Sequence, residues 1–129
     1  MMDRIRRGGM ARGLGELESA VMGHIWSCDG PVSVREVLQA LQRRRVLAYT
    51  TVMTVMDNLH KKGLLRRHPS GRAYLYEPVM SHEAYSAQIM QEALAKGGNQ
   101  AMTLVHFLER LTPEEHAALD AAIHRSDQQ

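Results

Sequence analysis

The side chains whose types and spacing point most directly to chemistry are three threonines near the middle of the chain. Thr50, Thr51 and Thr54 are close enough in sequence to lie toward one side of a helix. A threonine can give its hydroxyl group to a base edge of DNA or its methyl group to thymine. The pattern is consistent with base recognition, although it also suits the solvated side of an ordinary helix.

Basic residues before and after these threonines have the chemistry of phosphate binding, because their cationic groups neutralise backbone charge. Asp57 is an expected acceptor for a cytosine amino group. No arginine stands at 50–58 to make the strong contact with guanine, so we expect modest direct readout. The candidate DNA-binding residues are Arg43, Arg45, Thr50, Thr51, Met53, Thr54, Asp57, Asn58, Lys61, Arg66, Arg67, Arg72 and Tyr74.

Two predicted helices precede the threonines. Apolar residues recur at helical spacing over 14–28 and predict the first helix. Ser33 and Glu36 form a capping box, which predicts that the second helix begins at Val34. The arginines at 43–45 are expected at the C-terminus of this second helix, where positive charge complements the helix dipole.

The third predicted helix carries the threonines and is followed by a hairpin. It runs from about Thr50, its N-cap, to Lys62, and Gly63 supplies the left-handed residue that ends it. The β-prone runs at 64–68 and 73–77 flank a turn and predict two antiparallel strands. Three helices followed by a basic hairpin are the element order of a winged helix-turn-helix.

Tyr74 and Tyr76 alternate with Leu75 along the second predicted strand. Alternate residues of a strand share a face. We therefore expect both phenol hydroxyls on the side of the wing that meets the DNA backbone, with Leu75 on the core side.

Charge divides the chain after Met80. Residues 1–80 hold 13 Lys and Arg against 7 Asp and Glu, or +6, and residues 81–129 hold 3 against 7, or −4, which together give the net charge of +2. A basic segment suits a polyanionic partner. A general abundance of arginine would also produce this charge.

The acidic segment at 81–129 has too few apolar residues for a stable core of its own. We predict a helix over 82–96 and a shorter helix through Leu104, Val105, Leu108 and Leu111. A last helix is expected to follow the capping box at 112–115 and to bury Leu119 and Ile123. A second copy of the chain is the expected partner, and packing on its own amino-terminal domain is the alternative. The candidate interface residues are Tyr85, Ile89, Met90, Leu94, Val105, Phe107, Leu108, Leu111, Leu119 and Ile123.

The predicted fold is mainly α with a small β-hairpin wing, in three parts. Residues 1–13 form a basic, glycine-containing arm, either loose or placed on the minor groove; residues 14–80 form the winged helix; residues 81–129 form the helical dimerisation region. No apolar run is long enough for a membrane span or leader, so we expect a cytoplasmic protein.

The sequence lacks the residue patterns that an enzyme active site or a metal site needs. The seven histidines are scattered, with no zinc-protease motif and no glycine-rich phosphate loop, so no catalytic residue, cofactor or metal is expected. Cys28, the single cysteine, has no cysteine to pair with and belongs to an apolar helix stripe.

Several segments of the sequence resemble the penicillinase repressors of the BlaI/MecI type, over about residues 14–125. They are LGELE at 14–18, YTTVMTVM at 49–56, KGL at 62–64, GRAYLYEP at 71–78 and LTPEE at 111–115. The resemblance implies a homodimeric transcriptional repressor that binds a palindromic operator, at β-lactamase or related genes.

The resemblance also implies a sensor-linked protease as a partner. Members of that family are released from DNA when a β-lactam sensor triggers cleavage of an Asn–Phe bond in the dimerisation helices. The matching bond here joins His106 and Phe107, so this chain departs from the pattern at the first residue. The cysteine cluster of related copper-responsive repressors is absent from the sequence. A winged-helix docking module and a histidine-based metal sensor are the alternative functions.

Overall fold

The structure is a computed structural model that describes residues 14–128, so the predicted arm at 1–13 lies outside the described residues. Within that range no helix is long and apolar enough to cross a membrane. The elements in chain order are α1 (Glu16–Ser27), α2 (Val34–Leu41), α3 (Tyr49–Lys61), β1 (Leu65–Ser70), β2 (Ala73–Pro78), α4 (His82–Lys96), α5 (Gln100–Glu109) and α6 (Pro113–Asp127).

The described chain divides into two units, and the first extends to Ile89. Helices α1, α2 and α3 and the hairpin enclose one apolar core, which confirms the predicted winged-helix order. The predicted domain boundary after Met80 stays a prediction. The fully buried side chains at the centre of this core are Val21, Met22, Ile25, Val37, Val52, Met56, Leu59 and Leu65.

Local signals set the start of α2 but not that of α3. Ser33 accepts from the Glu36 amide at 3.1 Å while the Glu36 carboxylate accepts from the Ser33 amide, so the predicted capping box is formed. Thr50 is not the N-cap of α3: the helix begins at Tyr49, after Ala48, which offers no side-chain cap. The helix therefore starts one residue earlier than predicted.

The hairpin is longer than predicted, and its two tyrosines differ in their exposure to solvent. Paired strands leave only a two-residue turn, in which Gly71 has a φ of +63°, a left-handed conformation that glycine adopts without strain. Tyr76 is 2% exposed and forms an isolated bridge with Val32, whereas Tyr74 is 42% exposed. The expectation that both phenols face DNA is wrong for Tyr76, because the end of β2 near Val32 packs on the core.

An aromatic contact attaches the first turn of α4 to α1. The indole of Trp26 donates to the carbonyl of Met80 at 3.0 Å, and its ring stacks on His82 with centroids 4.3 Å apart. Tyr85 packs against the same core. The chain therefore enters α4 in a defined position relative to the helices of the first unit.

The second unit, from Met90 onward, has helix caps but no buried side chain among its described residues. Thr112 and Glu115 form the predicted capping box of α6, and Asn99 caps α5. Leu119 is half-buried and Ile123 is 52% exposed, so the expected burial of this pair does not occur within one chain. The helices are present without a core of their own.

Candidate nucleic-acid interface

The polar side of α3 is accessible along its length. Thr50, Thr51, Thr54 and Asn58 are exposed, and Met53 between them is 42% exposed. The opposite side of the helix supplies buried core residues. A duplex can therefore reach the hydroxyl, amide and methyl groups that base recognition requires.

Two exposed apolar residues beside these threonines extend the candidate surface. Tyr49 is 39% exposed and lies one helical turn before Met53, under the guanidinium of Arg35 at 5.7 Å. Val46, in the turn before α3, is fully exposed. Tyr49 is outside the helix predicted to begin at Thr50, and an earlier start would have placed it beside Met53.

The arginine cluster lies in the turn between α2 and α3 rather than at the end of α2. Helix α2 ends at Leu41 and has no basic residue in its last turn, so the arginines follow the helix end instead of forming it, and their interaction with its dipole stays a prediction. Arg43 and Arg45 are exposed, and Arg45 is 4.0 Å from a carboxylate oxygen of Glu16. Within residues 14–128, Arg43 has no carboxylate partner.

Asp57 is held between two cations. One carboxylate oxygen accepts from Lys61 at 3.0 Å and the other accepts from Arg67 at 2.9 Å. These hydrogen bonds, first from Lys61 and then from Arg67, hold the pKa of Asp57 below its ordinary value of 3.8. The stabilisation is therefore present above that value and is lost as pH falls through the lowered pKa. Base recognition by Asp57 stays a prediction.

Arg67 connects β1 both to α3 and to the tyrosines of β2. Its Nη1 donates to Asp57 and also to the hydroxyl of Tyr76 at 3.3 Å. The guanidinium carbon lies 4.2 Å from the ring centroid of Tyr74, within cation–π distance. The pKa of Arg67 is raised, first by its hydrogen bond to Tyr76. Arg67 is thus engaged inside the first unit.

The remaining basic residues of the wing differ in availability. Arg66 pairs with Glu77 across the strands at 3.5 Å and reaches the carbonyls of Pro78 and Val79. Arg72, in the turn, is exposed and makes no ion pair in the described part of the chain. Arg72 is therefore the wing cation with the greatest freedom to meet a phosphate.

The structure places most predicted interface residues on the outer surface of the second unit. Exposure runs from 37% at Leu108 and 39% at Phe107 to 55% at Met90, and Leu94 and Leu111 are half-buried. Val105 is exposed as well, whereas Tyr85 and Ile89 lie half-buried in the first unit.

The candidate cleavage bond lies within α5. His106 is exposed and approaches Glu109 at 3.2 Å, one turn later in the same helix. Phe107, on the other side of the bond, is 39% exposed.

Metal ligands do not gather anywhere in residues 14–128: no group of three or more histidine, cysteine or acidic side chains is placed to hold an ion. Cys28 has one such side chain beside it, since its sulfur lies 3.5 Å from Nε2 of His24. Cys28 is half-buried at the end of α1 and packs against the core.

The three-helix core, the exposed polar helix and the basic two-stranded wing define a winged-helix protein of the DNA-binding class. The family model described as penicillinase repressor matches residues 14–125. The chain belongs to this family of transcriptional regulators, as its sequence motifs predict.

Individual relatives agree with this assignment. The transcriptional regulator BlaI of Mycobacterium tuberculosis is 46% identical over 113 residues, covering 85% of this chain and 82% of the relative. The penicillinase repressor of Bacillus licheniformis is 29% identical over 72 residues, or 56% of each chain. The solution structure of the DNA-binding domain of the repressor BlaI matches with a TM-score of 0.51 and 27% identity, covering 60% of this chain and 94% of that domain.

Proposed function

We propose that this protein is a cytoplasmic, non-enzymatic repressor that binds a palindromic operator as a homodimer. The accessible face of α3, with three threonines and Asn58 beside the exposed arginines of the α2–α3 turn, is the observation that carries the proposal. Base edges would be met by α3, and phosphates by Arg43, Arg45 and Arg72. Family membership supports β-lactamase or related genes as the targets.

Dimerisation is supported by the second unit. Its three helical segments bury no side chain, yet they expose Met90, Phe107, Ile123 and several further apolar residues. An apolar surface of this kind, on a unit too small for its own core, needs a partner. A second copy supplies the same surface and sets two α3 helices at a fixed separation for a two-fold symmetric site.

Thr54→Ala tests base recognition by α3. We expect operator affinity to fall by roughly 5- to 10-fold while affinity for random duplex stays unchanged, because the substitution removes a base contact without altering charge. Fluorescence anisotropy with labelled operator and random duplexes measures both affinities.

Arg72→Ala is the matched control on the wing. It removes an unpaired cation, so it should weaken operator and random duplex by the same factor. Equal affinity of the unaltered protein for operator and random duplex at every salt concentration contradicts the proposed repressor and favours a docking module.

Release by proteolysis is proposed for the bond between His106 and Phe107. This bond lies in α5, which has no side chain buried within its own chain, so contacts inside one chain add little to the cost of the local unfolding that admits a protease. Cells treated with a β-lactam should therefore accumulate a fragment ending at His106, detectable by immunoblot and mass spectrometry. An intact chain in treated cells that derepress the target genes rules this mechanism out.

A further inference from the structure

The contact between Asp57 and Arg67 joins the two parts of the winged helix that meet DNA. Asp57 lies on α3 and Arg67 lies on β1, ten residues further along the chain. Both side chains are partly screened from solvent, with 34% and 24% exposed. The hydrogen bond of 2.9 Å therefore connects the helix that carries the threonines to the strand that carries the wing.

The guanidinium of Arg67 uses its planar shape in this contact. One nitrogen donates both to Asp57 and to the hydroxyl of Tyr76, while the ring of Tyr74 lies 4.2 Å from the guanidinium carbon. A lysine ammonium group has no planar face to stack on the ring. The arrangement thus fixes Tyr74, the exposed tyrosine of the wing, as well as the strand itself.

We infer that Asp57 and Arg67 form a positioning clasp, which holds the wing at one orientation to α3 and so makes operator binding depend on both elements together. The inference rests on the proposed function and deepens it. Neither side chain needs to touch DNA in this role. While the contact between Asp57 and Arg67 is formed, Tyr74 and Arg72 reach DNA phosphates only when α3 is aligned with the operator bases that it contacts.

The effect on DNA affinity of removing the negative charge of Asp57 distinguishes the positioning role from simple electrostatic repulsion. Asp57 is a carboxylate on the helix proposed to meet a polyanion, and a neutral residue there should favour binding to any duplex. A positioning role predicts the opposite for the operator, because the loss of the clasp frees the wing. Asp57→Asn therefore gives opposite results under the two explanations.

The experiment uses the full chain with the substitutions Asp57→Asn and Arg67→Gln, alone and combined. We expect each single variant to lose about 10-fold in operator affinity, close to the value for one lost interaction of this kind, with little change on random duplex. The double variant should lose no more affinity than the single variant that binds the operator less tightly, since both substitutions act on the same contact, Asp57→Asn by removing its negative charge and Arg67→Gln by removing its guanidinium.

Arg66→Gln is the matched control, because Arg66 is the neighbouring arginine and pairs with Glu77 inside the hairpin, with no ion pair or hydrogen bond to α3 among residues 14–128. Residual dipolar couplings of hairpin amides, relative to those of α3, should change in Asp57→Asn and Arg67→Gln but not in Arg66→Gln. Thermal unfolding followed by Trp26 emission verifies that each variant is folded.

Three results overturn the clasp. They are tighter binding of Asp57→Asn to all duplexes, additive losses in the double variant, and a loss confined to one base pair, which would assign Asp57 to direct readout. Absence of operator preference in the unaltered protein instead contradicts the proposed function, so the two failures are distinguishable.

Discussion

Phe107→Asp should convert the protein into a monomer and reduce its affinity for the full palindrome by about 100-fold or more. Linking two DNA-binding units raises overall affinity by roughly 10²- to 10⁴-fold through effective concentration, and a monomer loses that gain. Phe107 is chosen because it is 39% exposed on a helix without buried residues, where a charge opposes the proposed apolar contact between copies. Sedimentation velocity gives the mass, and gel shifts with full and half operators give the affinities.

Gln100→Asp is the control for Phe107→Asp. It adds the same charge to the same helix, at an exposed polar position in the first turn, where a negative charge is favourable. This control should remain dimeric and bind the palindrome normally, and both variants should keep their half-operator affinity. If Phe107→Asp stays dimeric, the interface lies elsewhere. The alternative, in which the acidic segment packs on its own amino-terminal domain, is then favoured.

Elements with local signals could be predicted from the sequence. The capping boxes at Ser33 and Thr112 need only residues three positions apart, and both helices begin where those boxes indicate. Gly63 follows the C-cap of α3 with a φ of +84°, the left-handed conformation that its residue type predicts at the end of a helix. The start of α3 was less accessible to prediction, because Ala48 caps the helix without a side-chain hydrogen bond.

The interactions of the candidate site depend on contacts that no local pattern encodes. Asp57 and Arg67 are ten residues apart on different elements, so their pairing does not follow from helical spacing, whereas the contact of Asp57 with Lys61, four residues further along α3, does. Tyr74 and Tyr76 share a strand face, yet only Tyr76 reaches the core and bridges Val32. Tertiary packing decided their exposure, and strand alternation did not.

The structure separates cations that are available to DNA from cations that hold the fold. Lys61 and Arg67 bind Asp57, and Arg66 binds Glu77. Lys62 binds Glu18 at 2.7 Å and ties α3 to α1. Net charge therefore overstates the number of phosphates that the first unit can neutralise, and the exposed arginines of the α2–α3 turn and of the wing carry most of that capacity.

Raising the salt concentration from 50 to 200 mM should weaken operator binding by about three orders of magnitude. Arg43 and Arg72 make no ion pair among residues 14–128, and the contact of Arg45 with the exposed Glu16, at 4.0 Å, is long enough to give way to a phosphate. These arginines give about three phosphate contacts per protomer and six per dimer, and six contacts correspond to a loss of roughly 10³-fold over this range. The slope of log affinity against log salt, measured by anisotropy, should be close to −5. A docking module that binds protein would show no such slope on duplex DNA.

The same titration tests the division of the cations. Arg72→Ala removes one contact per protomer, so the slope of the dimer should become less negative by about 2. Arg66→Gln removes a cation that is already paired with Glu77, so it should leave the slope almost unchanged. If the two variants shift the slope equally, the ion pairs within the wing open on DNA, and net charge rather than unpaired charge determines how many counterions leave the duplex.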